Sequence, residues 1–173
     1  MTAVDQHGPS GELDLGGILP EGGRMVVEAS AGTGKTYSLT ALVVRYVAER
    51  GLSAADLLIV TFTRAAAAEL RDRTRRALTD ARNALFSGEV PARHGWMSVL
   101  LAGTEEERAA RRRNLEAAVN AFDDATITTI HGFCQLALRQ LGLSSGAAID
   151  TDQLANLGTY TTPVVAIRDI KNN

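Results

Sequence analysis

Cysteine is nearly absent: the chain has one, Cys134, which excludes an intrachain disulfide and cannot make a metal site alone. Long apolar runs are missing too. No stretch approaches the roughly 18 consecutive apolar residues that cross a bilayer, and the N-terminus has no basic region followed by an apolar core. The expectation is a cytoplasmic protein with no membrane partner. Nor is there an excess of charge of either sign, the formal net charge being −2 and the isoelectric point near 5.9. A nucleic-acid partner must therefore be argued from local residues. Lysine is the scarce basic residue: Lys35 is the only one before Lys171, and arginine serves elsewhere. What is present, 45% hydrophobic and 22% charged residues over 173 positions, suits a globular protein of one domain or a little more, long enough to bury a core.

The informative stretch is Arg24 to Thr36, R-M-V-V-E-A-S-A-G-T-G-K-T. Met25, Val26 and Val27 read as a short buried strand that feeds a turn carrying Gly32 and Gly34. Lys35 and Thr36 then open an amphipathic helix. Glycine tolerates positive φ and lets backbone approach a polyphosphate, so successive N–H groups and the new helix's N-terminus can face negative charge. The expected cradle is Ala29, Ser30, Ala31, Gly32, Thr33, Gly34, Lys35 and Thr36. Lys35 would neutralise the β- and γ-phosphates of ATP, and the Thr36 hydroxyl would ligate Mg²⁺. Ala29 stands where the pattern G-x-x-x-x-G-K-[ST] has its first glycine, so the strand before and the helix after carry part of the assignment. The bland alternative is a plain glycine turn. Lysine use argues against it, because arginine's planar fork cannot replace a compact ammonium against a phosphate.

Residues 1–23 are polar and glycine-rich and read as a lead-in arm, partly ordered around Leu13, Leu15, Ile18 and Leu19. Leu39, Leu42, Val43, Tyr46 and Val47 make one helix face, and Gly51 is placed to end that helix. Leu57 to Phe62, a continuous apolar run, fits a strand covered on both faces of a parallel sheet. Strand, helix and strand in this spacing predict a βαβ unit. The next helix, with core face Leu70, Thr74, Ala77, Leu78, Ala81 and Leu85, runs to Gly88, and its arginines read most simply as a solvated face laced with Glu69, Asp72 and Asp80. Around Trp96 the chain leaves the sheet for a helical insertion. Thr104 and Glu107 form a capping box at the start of a further helix with a thin apolar face. Its basic run Arg108 to Arg113 follows three glutamates and reads as a solvated face. Ala125 to Ile130 is a short strand, and a helix begins near Gly132 with Phe133, Leu136 and Ala137 inward and Gly142 as its stop.

Three stretches, E-A-S-A-G-T-G-K-T at Glu28 to Thr36, V-T-F-T-R-A-A-A-A-E-L-R at Val60 to Arg71 and T-T-I-H-G-F-C at Thr128 to Cys134, together resemble the first ATP motif and two DNA-contact motifs of superfamily 1 DNA helicases. Within these they look most like the RecB branch of the UvrD/Rep group. The resemblance implies an α/β fold: an incomplete P-loop NTPase (RecA-like) parallel sheet flanked by helices, with the start of an inserted helical subdomain. It divides the chain into an arm (1–23), the first part of the ATP-binding domain (24–88), a helical insertion (89–122), a return to the domain (123–143) and a divergent or truncated tail (144–173). It further implies contacts to single-stranded DNA from Thr61, Phe62, Thr63 and Arg64 and from Thr129, His131 and Phe133, and the other subunits of a RecBCD-like complex as partners. Hydroxyls and an imidazole suit phosphate, and an aromatic face suits an unpaired base. Phe62 and Phe133 could instead be core residues, and His131 a helix cap. Hydrolysis in this family needs an Asp-Glu pair ending a strand, and the chain contains no such dipeptide. Asp123 and Asp124 precede their strand and are poor candidates for metal ligands. The chain alone is therefore expected to lack turnover. A small P-loop kinase and a non-catalytic nucleotide- or DNA-binding fragment are the alternatives.

Overall fold

A computed structural model describes residues 2–5, 11–19, 24–29, 34–140 and 164–169. The strands are β1 (Thr2–Asp5), β2 (Gly11–Glu12), β3 (Arg24–Ala29), β4 (Leu58–Thr61), β5 (Thr126–Thr129) and β6 (Val164–Asp169). The α-helices are α1 (Lys35–Arg50), α2 (Arg64–Ser87), α3 (Ser98–Leu101), α4 (Glu105–Asn120) and α5 (Ile130–Gln140).

Helix boundaries follow local chemistry. Gly51 ends α1 at φ 70° and Gly88 ends α2 at φ 76°, in the left-handed region that only glycine enters cheaply. Thr63 opens α2, its hydroxyl accepting from the Ala66 N–H. Thr104 opens α4 in the predicted reciprocal box with Glu107. The buried residues of α2, from Ala67 through Thr74, Ala77, Leu78, Ala81 and Ala84 to Leu85, recur at helical spacing and form one stripe.

The core lies where α1, α2 and α4 meet under β4 and β5. Val44, Val47, Leu78, Met97, Leu100, Leu115 and Phe122 are fully buried there, with Ile59 and Ile127 facing in from the two strands. Arg75 fastens α2 to the turn before β5, its guanidinium lying 4.9 Å from the centre of the Phe122 ring while pairing with Asp123 at 2.5 Å. Asp123 is thus taken up by an ion pair. Within the basic run of α4, Arg108 and Arg112 pair with Glu105, while Arg111 donates to the carbonyls of Val99, Leu100 and Ala102.

Three expectations need correction. The predicted βαβ pairing of β3 with β4 is not formed. β3 runs antiparallel to β1 and parallel to β6 in a four-stranded sheet ordered β2-β1-β3-β6, whereas β4 and β5 make a separate parallel pair. β4 is also not covered on both faces: Leu58 is 40% and Val60 39% exposed, while Ile59 faces the buried core. Leu136 of α5, read as inward, is 39% exposed. The arm holds more structure than its glycines suggest, contributing β1 and β2. Its segment Leu13–Leu19 is docked on α1 by Arg45, which is 2% exposed and donates to the carbonyls of Leu15 and Gly17 while pairing with Glu49. Leu15 and Leu19 pack on Leu42 and Tyr46, while Ile18 points out. Gly142 and residues 144–163 lie outside the described residues.

Candidate functional site

Ala29 is the last residue of β3, while Ser30, Ala31, Gly32 and Thr33 lie outside the described residues. The far end of the expected phosphate turn is visible. Gly34 has φ 85° and ψ 22°, a left-handed conformation, and serves as the N-cap of α1. Lys35 and Thr36 come next as the first two helical residues, both half-buried. The start of α1 differs from the other long helices. α2, α4 and α5 each receive a threonine hydroxyl on a first-turn N–H, from Thr63, Thr104 and Thr129. α1 begins on a glycine, which has no side chain to offer, so an external anion can do there what a hydroxyl does elsewhere.

The next residue, Tyr37, clamps this first turn to the segment around Arg93 and His94. Its hydroxyl donates to the Arg93 carbonyl at 3.1 Å, and its ring stacks on His94 with centroids 5.7 Å apart. Burial pushes the His94 imidazole below its ordinary pKa and the Arg93 charge adds to that, with Asp80 opposing. The cleft lined by Gly16, Gly17, Arg45, Glu49, Arg50 and Arg111 opens at the other half of α1, ~15 Å along the helix from Lys35 at 1.5 Å per residue. It is therefore not where a phosphate on Lys35 would sit.

The two stretches singled out further along the chain do come together. β4 and β5 are parallel neighbours with Thr61 opposite Thr129, so the segments leaving the two strands emerge at the same C-terminal edge. On one side stand Phe62, 86% exposed, then Thr63 and the exposed Arg64 at the start of α2. On the other stand exposed Ile130 and His131, then half-buried Phe133 on α5. Phe62 is thus not a core residue. His131 does not cap its helix; that is done by Thr129, whose hydroxyl accepts from the Gly132 N–H at 3.1 Å. A hydroxyl that accepts in this way keeps its own proton to donate, so capping does not use up Thr63 or Thr129.

Two residues of this edge carry roles that their place in the sequence did not announce. A Cβ on Gly132 would lie 2.4 Å from the Thr128 hydroxyl oxygen, so this position needs glycine for space, which lets α5 start directly at the end of β5. Gln135 lies 3.0 Å from the His131 Nε2 through its own amide nitrogen. The i, i+4 spacing of His131 and Gln135 could have signalled that contact once the helix was placed. Among the described residues no cluster of three or more His, Cys, Asp or Glu could hold a metal, and no helix is long and apolar enough to cross a membrane.

Comparison with known proteins gives the geometry its context. The family described as the UvrD/REP helicase N-terminal domain matches residues 15–170, a span that takes in most of the segment set apart as a divergent tail. The chain is 42% identical over 161 residues to the RecBCD enzyme subunit RecB of Mycobacterium tuberculosis H37Rv, covering 92% of this chain and 15% of that protein. It is 37% identical to the RecB protein of Escherichia coli K12, over 74% of this chain and 11% of that one. It is 34% identical to the RecB protein of Haemophilus influenzae Rd, over 74% and 12%. The chain therefore spans less than a sixth of the length of these curated relatives. The match implies a P-loop NTPase fold, with which the described residues agree as an incomplete α/β domain: the chain belongs to the UvrD/REP helicase family, in its RecB-like branch, and corresponds to the N-terminal domain.

Proposed function

We propose that this chain is the ATP-binding portion of a RecB-like, ATP-dependent DNA helicase acting in recombination and double-strand break repair. In this reading it is the RecA-like part of a larger cytoplasmic enzyme, with residues 89–122 beginning a helical insertion. The observation that carries it is the register of β4 and β5, which sets Phe62, Thr63 and Arg64 beside Thr129, His131 and Phe133 at one edge. In an open α/β sheet that carboxyl edge is where ligands bind. Single-stranded DNA would lie across it, a base stacking on Phe62 and phosphates meeting Arg64, His131 and the threonine hydroxyls.

ATP and Mg²⁺ would be held by Ala29 to Thr36. Support for the fit comes from Gly34, which takes a left-handed conformation at the N-cap of α1 and brings no side chain of its own to cap the helix. Lys35 would bind the phosphates as a point charge and Thr36 would supply a hydroxyl ligand; when bound, the metal neutralises charge that develops on the phosphates. Water activation requires an acidic pair that the chain's sequence does not contain as Asp-Glu, so binding without turnover is the expectation for these 173 residues. Stepping along DNA, and assembly with the other subunits of a RecBCD-like complex, would belong to the whole protein.

Two measurements test this. Lys35→Ala should abolish nucleotide binding by calorimetry while leaving the far-ultraviolet circular dichroism unchanged; surviving ATP affinity sinks the phosphate-site assignment. Phe62→Ala should weaken salt-dependent binding to an oligothymidylate by about five- to a hundredfold, the range of one lost base stack. A small P-loop kinase predicts no single-strand binding to lose.

A further inference from the structure

Among the described residues His131 is the one imidazole at the strand edge, and a neutral imidazole donates from one nitrogen only. Which nitrogen carries the proton is set by what the other one meets. In α5 the Gln135 amide nitrogen lies 3.0 Å from the His131 Nε2. With that amide nitrogen as the donor, Nε2 is the acceptor and the ring proton is left on Nδ1. His131 has no other partner among the described residues. Gln135 in turn sits one turn further along the same helix face, and the Thr129 cap together with the side-chain-free Gly132 holds the first turn from which His131 projects.

We propose that Gln135 is a positioning residue for the DNA-contact edge: it occupies Nε2 and thereby presents His131 to a DNA phosphate as an Nδ1–H donor. This rests on the single-strand reading above and adds a residue that none of the three motif stretches includes. The bland reading is a helix-surface pair that adds slightly to the stability of α5. That reading predicts no particular tautomer and no effect on DNA.

The tautomer can be read directly, because the chain has only three histidines. Long-range ¹H–¹⁵N spectra of the uniformly labelled 173-residue chain at pH 8, where an ordinary imidazole is neutral, should show His131 in the Nδ1–H form. In Gln135→Leu it should shift toward the Nε2–H form. In Gln135→Glu, whose carboxylate can only accept, Nε2–H should dominate. Gln135→Leu should also weaken oligothymidylate binding about three- to tenfold, the range of one hydrogen bond, and His131→Ala/Gln135→Leu should bind no more weakly than His131→Ala alone. A native His131 in the Nε2–H form overturns the proposal, as does wild-type affinity in Gln135→Leu or losses that multiply in the double variant. If binding is absent altogether, or indifferent to Phe62→Ala and His131→Ala as well, the parent reading falls and takes this proposal with it; the native tautomer would still report which way the bond runs.

Discussion

Replacing Gly132 with alanine should destabilise the chain in a way that a second substitution reverses. The added Cβ would sit 2.4 Å from the Thr128 hydroxyl oxygen and 3.4 Å from that of Thr129. The second distance is an ordinary contact, but the first is about 1 Å too short, so something must move. Thr128 is β-branched and stiff at χ1, and turning its hydroxyl aside brings its methyl into play or leaves a staggered well at about 0.5–1.5 kcal/mol. Shifting the start of α5 instead is overpacking, at about 1–3 kcal/mol. Against this, alanine is favoured over glycine inside a helix by up to about 1 kcal/mol. Gly132 has no positive φ, so no backbone penalty enters. The net expectation is a loss of about 0.5–2 kcal/mol for Gly132→Ala. In a Thr128→Ala background the obstruction is gone and the same change should gain up to about 1 kcal/mol. Urea denaturation followed through the single tryptophan, Trp96, which is buried in the core, reports both legs of the cycle. A Gly132→Ala variant as stable as wild type, or one that costs the same with and without the Thr128 side chain, would refute the steric account.

Phe122 is 1% exposed, between the helices and β5, so Phe122→Ala should cost about 3–5 kcal/mol. That is a large part of the roughly 5–15 kcal/mol typical of a domain, and the urea transition should shift far down or lose its cooperativity. Thr104→Ala removes one half of the capping box that Thr104 shares with Glu107 and should cost about 1 kcal/mol in the same assay, with Thr104→Ser restoring it. His94 is held below its ordinary pKa by burial first and Arg93 second. The unfolded chain therefore takes up this proton at a higher pH than the folded one. Stability is fully present above about 6.5 and should fall as pH drops through that value toward the lowered folded pKa; a His94→Gln variant should show a shallower fall over the same window.

Much of this protein was legible in the sequence because it depends on a few neighbouring residues. Gly51 and Gly88 stop their helices since glycine alone accepts the left-handed backbone there cheaply. Thr104 starts its helix because a hydroxyl three residues upstream reaches the orphan N–H; Thr63 does the same for α2, a role its sequence context had not announced. The lysine-tipped glycine turn and the two later motifs were equally visible, being contiguous. What the tertiary structure decided is non-local. Nothing near Leu58 says that β4 pairs with β5 and leaves β3 to β1 and β6, since strand pairing is a choice among distant partners of similar local propensity. The open outer face of β4 could not be read either, because an apolar run is the same string whether one face or both are covered. Nor could the role of Arg45, an arginine inside a helix that the docked arm buries almost completely. The sequence determined which residues are candidates for the chemistry; only the fold set Thr61 opposite Thr129, because that register comes from hydrogen bonds between strands that the chain brings together from far apart.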